Sequence, residues 1–260
     1  MILERFLVEG PLANYNYLLA CPETGECVAL DPLDGAEVLR RVKARGWTLR
    51  SIVNTHEHPD HTDGNEVVKQ ATGARVYAHV GARAAIPTMD VGLVAGDVIK
   101  VGKTGELLVL DTPGHTFSHV CLRVMDEGES LFSGDTVFNS GAGNCHFGGD
   151  PRTLFHTFDT QIRHLPANTS LYPGHEYALR NLGFSLHIDP LNQDALDLLN
   201  RLEKEGVAQF VSTLGQEQAI NPFLRYDDER VRQGVARLTG TMPDSDESTF
   251  VALRKLRNSW

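Results

Sequence analysis

A ten-residue segment of the sequence concentrates side chains that bind metal ions. It reads Thr-His-Glu-His-Pro-Asp-His-Thr-Asp-Gly from residue 55 to 64, and its candidate ligands are His56, His58, Asp60 and His61. Imidazole and carboxylate groups suit zinc, iron and manganese. Four ligands this close in sequence cannot all reach one tetrahedral ion without strain, whereas two adjacent ions can share them. An ordinary surface loop is not typically so rich in ligands, and the segment therefore predicts a metal centre.

Three further candidate ligands occupy a similar place elsewhere in the chain. They are His115, Asp135 and His175. Each lies just past an apolar run that predicts a strand, and a Pro-Gly pair precedes both histidines. Layered α/β folds place their sites at the carboxyl ends of strands. A single histidine is more often a hydrogen-bonded structural residue, but the shared position at strand ends adds all three residues to the candidate site.

Strands must bring these residues together, and the first half of the chain predicts them. Strands are predicted over residues 15–20, 26–30, 49–54, 74–78 and 106–110, with helices over 35–45 and 65–71. From about residue 177 the pattern changes, and helices are predicted over 192–204, 227–238 and 248–258. We therefore predict an α/β catalytic domain over residues 1–174 and a small helical C-terminal domain over residues 175–260.

Composition limits the class of partner and the location. With 260 residues, 41% of them hydrophobic, and a net charge of −10, the chain should form a packed core, and it lacks the basic character that nucleic-acid binding requires. It has no apolar run of eighteen residues, and the N-terminus does not resemble a signal peptide. Its four cysteines form no C-x-x-C pair. We expect a reduced, cytoplasmic protein without a membrane or nucleic-acid partner, and the oligomeric state stays open.

The order of these motifs resembles a known superfamily. H-x-H-x-D-H, then P-G-H, then G-D-T, then P-G-H is similar to the metallo-β-lactamase superfamily. The resemblance implies an α/β fold, a four-layer αββα sandwich with two metals at one edge. It implies that His56, His58 and His115 hold one metal and that Asp60, His61 and His175 hold the other. Asp135 would bridge them together with a water or hydroxide, which makes Asp60 and Asp135 the candidate catalytic residues. Zinc is the expected metal, and iron or manganese would also fit.

Within that superfamily the chain resembles glyoxalase II, the hydroxyacylglutathione hydrolases, over nearly its whole length. The resemblance is carried by residues 14–17, 174–177, 221–225 and 253–258. It implies cleavage of an S-(2-hydroxyacyl)glutathione, such as S-lactoylglutathione, to a 2-hydroxy acid and glutathione. It also implies that Tyr177, Arg254 and Arg257 bind the glutathione portion. An arginine pair on one helical face can bind the two carboxylates of glutathione, although the residues without the resemblance would favour a solvated basic stripe with Lys255.

The sequence departs from the family near the expected substrate site. Asn144 stands where the family usually has a basic residue that contacts glutathione, and His146 stands where an aromatic residue is usual. Either the thioester is held differently or its thiol portion is not glutathione. His146 could contact the substrate or be an ordinary loop histidine.

The expected chemistry is hydrolytic. Two metals lower the pKa of a shared water, so that hydroxide can attack the thioester carbonyl near neutral pH. The thiolate leaves without a strong general acid, because thiols are acidic, with a pKa of about 8.5 for cysteine. The alternatives are a persulfide dioxygenase or a lactonase of the same fold, a thioesterase for another thiol carrier, and a non-catalytic metal-binding module. His119 is expected either to support a metal ligand by a hydrogen bond or to be a surface histidine.

Overall fold

The computed structural model describes residues 1–125 and 129–260. Within these residues the strands are β1 (Ile2–Leu7), β2 (Tyr15–Ala20), β3 (Glu26–Leu30), β4 (Thr48–Val53), β5 (Arg75–His79), β6 (Val91–Leu93), β7 (Val98–Val101), β8 (Gly105–Asp111), β9 (Val120–Val124), β10 (Ser130–Gly134), β11 (Val137–Phe138), β12 (Gly141–Ala142), β13 (Ser170–Pro173) and β14 (Ser212–Thr213). They form two six-stranded mixed sheets, ordered β1-β2-β3-β4-β5-β6 and β14-β13-β10-β9-β8-β7. The small antiparallel hairpin β11–β12 stands apart from both sheets.

Helices follow many of these strands. They are α1 (Gly35–Arg45), α2 (Pro59–Thr62), α3 (Asn65–Thr72), α4 (Pro151–Thr160), α5 (Ala178–Ile188), α6 (Gln193–Glu205), α7 (Leu214–Ile220), α8 (Glu229–Thr239) and α9 (Asp246–Asn258), with 3-10 turns at Val80–Ala84 and Ile162–His164. Local signals set several bounds. The Asp34 side chain accepts a hydrogen bond from the backbone N–H of Glu37 at the start of α1, and Gly46 ends that helix in the left-handed conformation at φ 65°.

Three groups of buried side chains define four layers. The inner faces of the two sheets pack on each other through residues such as Tyr17 and Leu30 from the first sheet and Leu107 and Leu122 from the second. The outer face of the first sheet packs against α1 and α3. The outer face of the second sheet packs against α4 and the C-terminal helices, where Phe250 is fully buried. This αββα arrangement confirms the predicted fold class.

Most elements predicted from periodicity are present with small shifts in their ends. The predicted bounds of β2, β3 and α1 match the structure, and the three predicted C-terminal helices correspond to α6, α8 and α9. Side chains from α9 and from the second sheet share one core, so the C-terminal helices are packed directly onto the sandwich. The division at residue 174/175 stays a prediction. Among the described helices, none has the length and apolar character needed to cross a membrane.

Candidate metal centre

One edge of the sandwich collects all seven predicted ligands because the strands that precede them end there. His56 and His58 follow β4 in an extended stretch, with His58 at φ −65° and ψ 144°. Helix α2 then begins at Pro59, which needs no N–H partner at the first helical position, and this helix carries Asp60 and His61. The remaining ligands follow β8, β10 and β13. They are His115, Asp135 and His175.

The seven side chains form two groups joined by a carboxylate. The candidate ligand atoms lie within 4.8 Å of one another in the group of His56, His58 and His115, and likewise in the group of Asp60, His61 and His175. Asp135 lies between the groups. Its Oδ2 is 3.4 Å from His115 Nε2 and 3.2 Å from His175 Nε2. Its Oδ1 is 3.4 Å from His61 Nε2. The geometry suits a pair of adjacent ions that share Asp135.

Each histidine of the two groups is oriented by a hydrogen bond from the ring nitrogen that faces away from the centre. The bonds are His56 Nδ1 to Thr55 Oγ1 (3.0 Å), His58 Nε2 to the Phe147 carbonyl (2.9 Å), His61 Nδ1 to Asp31 Oδ2 (2.9 Å), His115 Nδ1 to the Asn144 carbonyl (2.6 Å) and His175 Nδ1 to the Leu12 carbonyl (2.7 Å). Carbonyl and carboxylate oxygens only accept, so the ring nitrogens of His58, His61, His115 and His175 carry the hydrogen in these bonds. The Thr55 hydroxyl donates its own hydrogen to Asp31 Oδ2 at 2.7 Å, so it accepts the hydrogen of His56 Nδ1. In the neutral form of each ring, the opposite nitrogen presents its lone pair to the centre, as metal ligation requires.

The protonation of the first group also suits a metal. Burial lowers the pKa of His56 well below its usual range and lowers that of His115 to about 4, so both rings are neutral. The lone pairs converge closely: His58 Nδ1 lies 3.0 Å from His56 Nε2 and 3.0 Å from His115 Nε2. Nitrogen lone pairs at such distances repel one another unless a cation lies between them.

Negative charge dominates the second group. Burial acts to lower the pKa of His61, but Asp135 and Asp31 outweigh it and raise that pKa to about 9. Burial likewise acts to raise the pKa of Asp135, yet His175 and the other facing histidines hold it well below its usual range. An ionised carboxylate and a strongly negative local field favour a bound cation here.

A buried acceptor provides a further test of fit. Asp135 Oδ1 is inaccessible to solvent and has no hydrogen-bond donor among the described residues. Gly174 lies against it, since a Cβ at that position would be 2.4 Å from Oδ1. A buried, ionised oxygen without a donor is costly unless a cation lies beside it. The donor set and the unpartnered oxygen together fit a divalent metal site.

Other buried residues support the ligands, and two of them were not anticipated from the sequence. Asn14 Nδ2 donates to Asp60 Oδ2 at 2.9 Å. Asp31, at φ 47°, accepts from the N–H and hydroxyl of Thr55 as well as from His61. Asp31 directly follows β3, so the strand-end rule that selected Asp135 could have found it. His119 is fully buried and its Nε2 accepts from the backbone N–H of Asp135 at 3.1 Å, which excludes the surface alternative.

A cleft of about 220 Å³ opens beside this centre, and all five predicted substrate residues line it. They are Asn144, His146, Tyr177, Arg254 and Arg257. The cleft adjoins the metal centre in two places. The Tyr177 ring stacks on that of His175, with centroids 5.0 Å apart. The Asn144 carbonyl holds His115.

Arg254 has a structural contact that the sequence did not indicate. Only 3% of the residue is exposed, and its Nη1 donates to the carbonyls of Ala142 (2.6 Å) and Gly143 (3.0 Å). Asn144 comes next in the chain, so Arg254 fixes the loop that orients His115. Arg257 is less buried, and its Nε and Nη2 both donate to Asn181 Oδ1, at 3.2 and 3.0 Å.

Comparison with solved structures agrees with the fold. ETHE1 from Myxococcus xanthus superposes with a TM-score of 0.71 at 24% identity, covering 98% of this chain and 91% of that chain. TTHA1623 in a di-iron-bound form superposes with a TM-score of 0.60 at 27% identity, covering 84% of this chain and 100% of that chain. Because ETHE1 is only 24% identical in sequence, its similarity to this chain shows a shared fold alone.

Comparison with sequence families covers almost the entire chain. The family model described as "Metallo-beta-lactamase superfamily" matches residues 10–175, and that described as "Hydroxyacylglutathione hydrolase C-terminus" matches residues 176–260. Hydroxyacylglutathione hydrolases of Nitrosococcus oceani and a Polaromonas species are 47% and 48% identical, each over 266 residues and 100% of both chains. The chain therefore belongs to the hydroxyacylglutathione hydrolase family of the metallo-beta-lactamase superfamily.

Proposed function

We propose that this protein hydrolyses S-(2-hydroxyacyl)glutathione thioesters, such as S-lactoylglutathione, to a 2-hydroxy acid and glutathione. The observation that carries the proposal is the contact between a divalent metal centre and a cleft lined by arginines. Two residues that line the cleft contact ligands of that centre, because Tyr177 stacks on His175 and the Asn144 carbonyl bonds to His115. A molecule bound in the cleft would therefore lie next to the centre. The curated relatives bear the name of this activity.

We propose zinc as the metal, held at two positions. His56, His58 and His115 would hold one ion, Asp60, His61 and His175 the other, and Asp135 would be shared. Nitrogen-rich ligand sets of this kind suit zinc, while iron and manganese accept the same donors. When bound, the ions supply a Lewis acid for the thioester carbonyl and hydroxide near neutral pH. Elemental analysis of protein purified without added metal would identify the metal, and fewer than two equivalents after reconstitution would contradict the paired site.

The remaining catalytic contributions come from the protein's own side chains. Asn14 holds Asp60 and the His119 ring accepts from the backbone of Asp135, so both carboxylates keep their positions. Burial, followed by the charge of Asp135, raises the pKa of Tyr177 to about 12, so its hydroxyl stays protonated and can donate to the substrate. The departing thiolate needs no general acid because a thiol has a pKa of only about 8.5.

We propose that the thiol portion of the substrate occupies the arginine-lined cleft. Arg254, Arg257 and Tyr177 would bind it, together with Asn144 and His146 from the segment that follows the β11–β12 hairpin. The neutral Asn144 favours one second candidate, a thioesterase for another thiol carrier. A cytoplasmic location also stays a proposal.

A hydrolysis panel on metal-reconstituted protein tests these statements. Thiol release would be measured with S-lactoylglutathione, lactoyl-coenzyme A and the lactoyl thioester of N-acetylcysteamine, with chelator-treated protein as the blank. We expect kcat/KM to favour the glutathione thioester by at least about 10-fold. A preference for coenzyme A would assign another carrier. Oxygen uptake with glutathione persulfide, or faster hydrolysis of a lactone than of any thioester, would overturn the thioesterase assignment.

A further inference from the structure

The cleft beside the metal centre contains a third arginine that the sequence patterns did not single out. Arg180 lies in the first turn of α5, whereas Arg254 and Arg257 lie on α9, and all three line the same cleft. Across residues 1–125 and 129–260, no carboxylate lines the cleft and none of the three arginines has an aspartate or glutamate as an ion-pair partner.

Cations gathered in this way repel one another. Burial, followed by the charge of Arg257, lowers the pKa of Arg254 to about 9. Burial, followed by the charge of Arg180, lowers the pKa of Arg257. Like charges in a partly desolvated cleft are favourable only when an anion neutralises them, because the Coulomb repulsion is screened less there than in water. The cluster therefore points to an anionic ligand with more than one negative group.

The three arginines differ in how many hydrogen-bond donors remain for a ligand. Arg254 uses Nη1 on two backbone carbonyls and Nε on Asn258 Oδ1. Arg257 uses Nε and Nη2 on Asn181 Oδ1. Arg180 is exposed, and within the described part of the chain its side chain donates one long hydrogen bond, from Nη2 to the Trp260 carbonyl at 3.4 Å. A guanidinium has five N–H donors in a fork that matches a carboxylate, so Arg180 is the arginine with most donors available.

We propose that Arg180 binds a carboxylate of the substrate's thiol portion and so selects thioesters whose thiol carries carboxylates. The inference rests on the proposed function, since glutathione would bring two carboxylates to the three arginines. Asn144 lines the same cleft, but its side chain is neutral and supplies no positive charge. The positive charge opposite the second carboxylate would therefore come from Arg180 on α5. Arg180 is thus a specificity-determining residue and takes no part in the reaction at the thioester.

The test compares Arg180→Gln with wild type on two substrates. With S-lactoylglutathione we expect KM to rise about 5- to 10-fold with kcat within about 2-fold, the size of effect of one partly exposed charge pair. With the lactoyl thioester of N-acetylcysteamine, which has no carboxylate, both parameters should be unchanged. Arg180→Lys should keep most of the wild-type KM. Asn144→Lys added to Arg180→Gln should lower KM again, because it returns a cation to the same cleft.

Controls separate this inference from the proposed function. Arg201→Gln removes an exposed arginine of α6 outside the cleft and should leave KM unchanged. If wild type shows no preference for S-lactoylglutathione over the carboxylate-free thioester, the proposed function fails and this inference falls with it. If wild type shows that preference and Arg180→Gln retains it in full, the inference alone is overturned. An equal loss on both substrates would also overturn it, since that would indicate a structural role.

Discussion

Replacing Arg254 by methionine tests how the last helix supports the metal centre. The guanidinium bonds the carbonyls of Ala142 and Gly143, and the next carbonyl, that of Asn144, holds His115. Hydrogen bonds from a charged donor contribute roughly 1.5–3 kcal/mol each, so the pair contributes roughly 3–6 kcal/mol. The burial that lowers the pKa of Arg254 to about 9 opposes this by about 5 kcal/mol.

Because these two contributions are similar in size and opposite in sign, Arg254→Met should change the free energy of unfolding by less than about 2 kcal/mol. The effect on metal affinity and on turnover should be larger than the effect on stability. Loss of a partner that orients a metal-ligating histidine typically costs about 10- to 100-fold in metal affinity or activity. We therefore expect metal affinity and kcat to fall by at least about 10-fold, in addition to an increase in KM.

Urea unfolding, metal titration against a chromophoric chelator and steady-state kinetics measure the three effects separately. Arg257→Met is the matched control, because the hydrogen bonds of Arg257 go to Asn181 and not to the carbonyls that Arg254 bonds. It should raise KM and leave metal affinity unchanged. If Arg254→Met also changes only KM, the proposed link from α9 to His115 is wrong. If the variant does not fold, the estimate that the two contributions cancel is wrong.

Two further predictions concern the metal centre, and a third concerns Glu217, a buried carboxyl group that accepts a hydrogen bond from the backbone N–H of Ser140. Asp135→Ala should lower the metal content below two equivalents, measured by elemental analysis, and should lower kcat/KM by more than about 100-fold. Full metal content with near-normal turnover would refute the proposal that both ions share Asp135. Gly174→Ala should weaken metal binding by about 10-fold or more, because its Cβ would lie 2.4 Å from Asp135 Oδ1. The control Gly183→Ala, whose Cβ would meet Trp260 at 3.9 Å, should keep the wild-type metal affinity, and equal metal affinities of the two variants would contradict the prediction. Glu217→Gln should flatten the pH dependence of stability. Burial raises the pKa of Glu217 from 4.5 to about 7, so wild type should lose up to about 3 kcal/mol between pH 5 and 8 that the glutamine variant keeps, and a pH-independent difference in urea unfolding would refute the assignment.

The sequence by itself determined the layered α/β class, the bounds of several elements and the residue types of the metal ligands. Strands β2 and β3 and helix α1 could be predicted because alternation, helical spacing and the stop at Gly46 are local properties of the chain. The cluster from His56 to His61 could be recognised because its ligands lie within one short segment. The resemblance to the hydroxyacylglutathione hydrolases could be recognised for the same reason, since each of its motifs is contiguous in sequence. The matches to family models and relatives confirm it.

Only the tertiary structure decided which side chains support the ligands and which face the cleft. The bond from Arg254 to Ala142 joins residues 112 positions apart, and that from His175 to Leu12 joins residues 163 apart. No local pattern encodes such pairs, because each depends on how strands and helices pack. The same packing explains why Arg254 is largely buried in a hairpin contact while Arg180, on another helix, faces the cleft with most of its donors available.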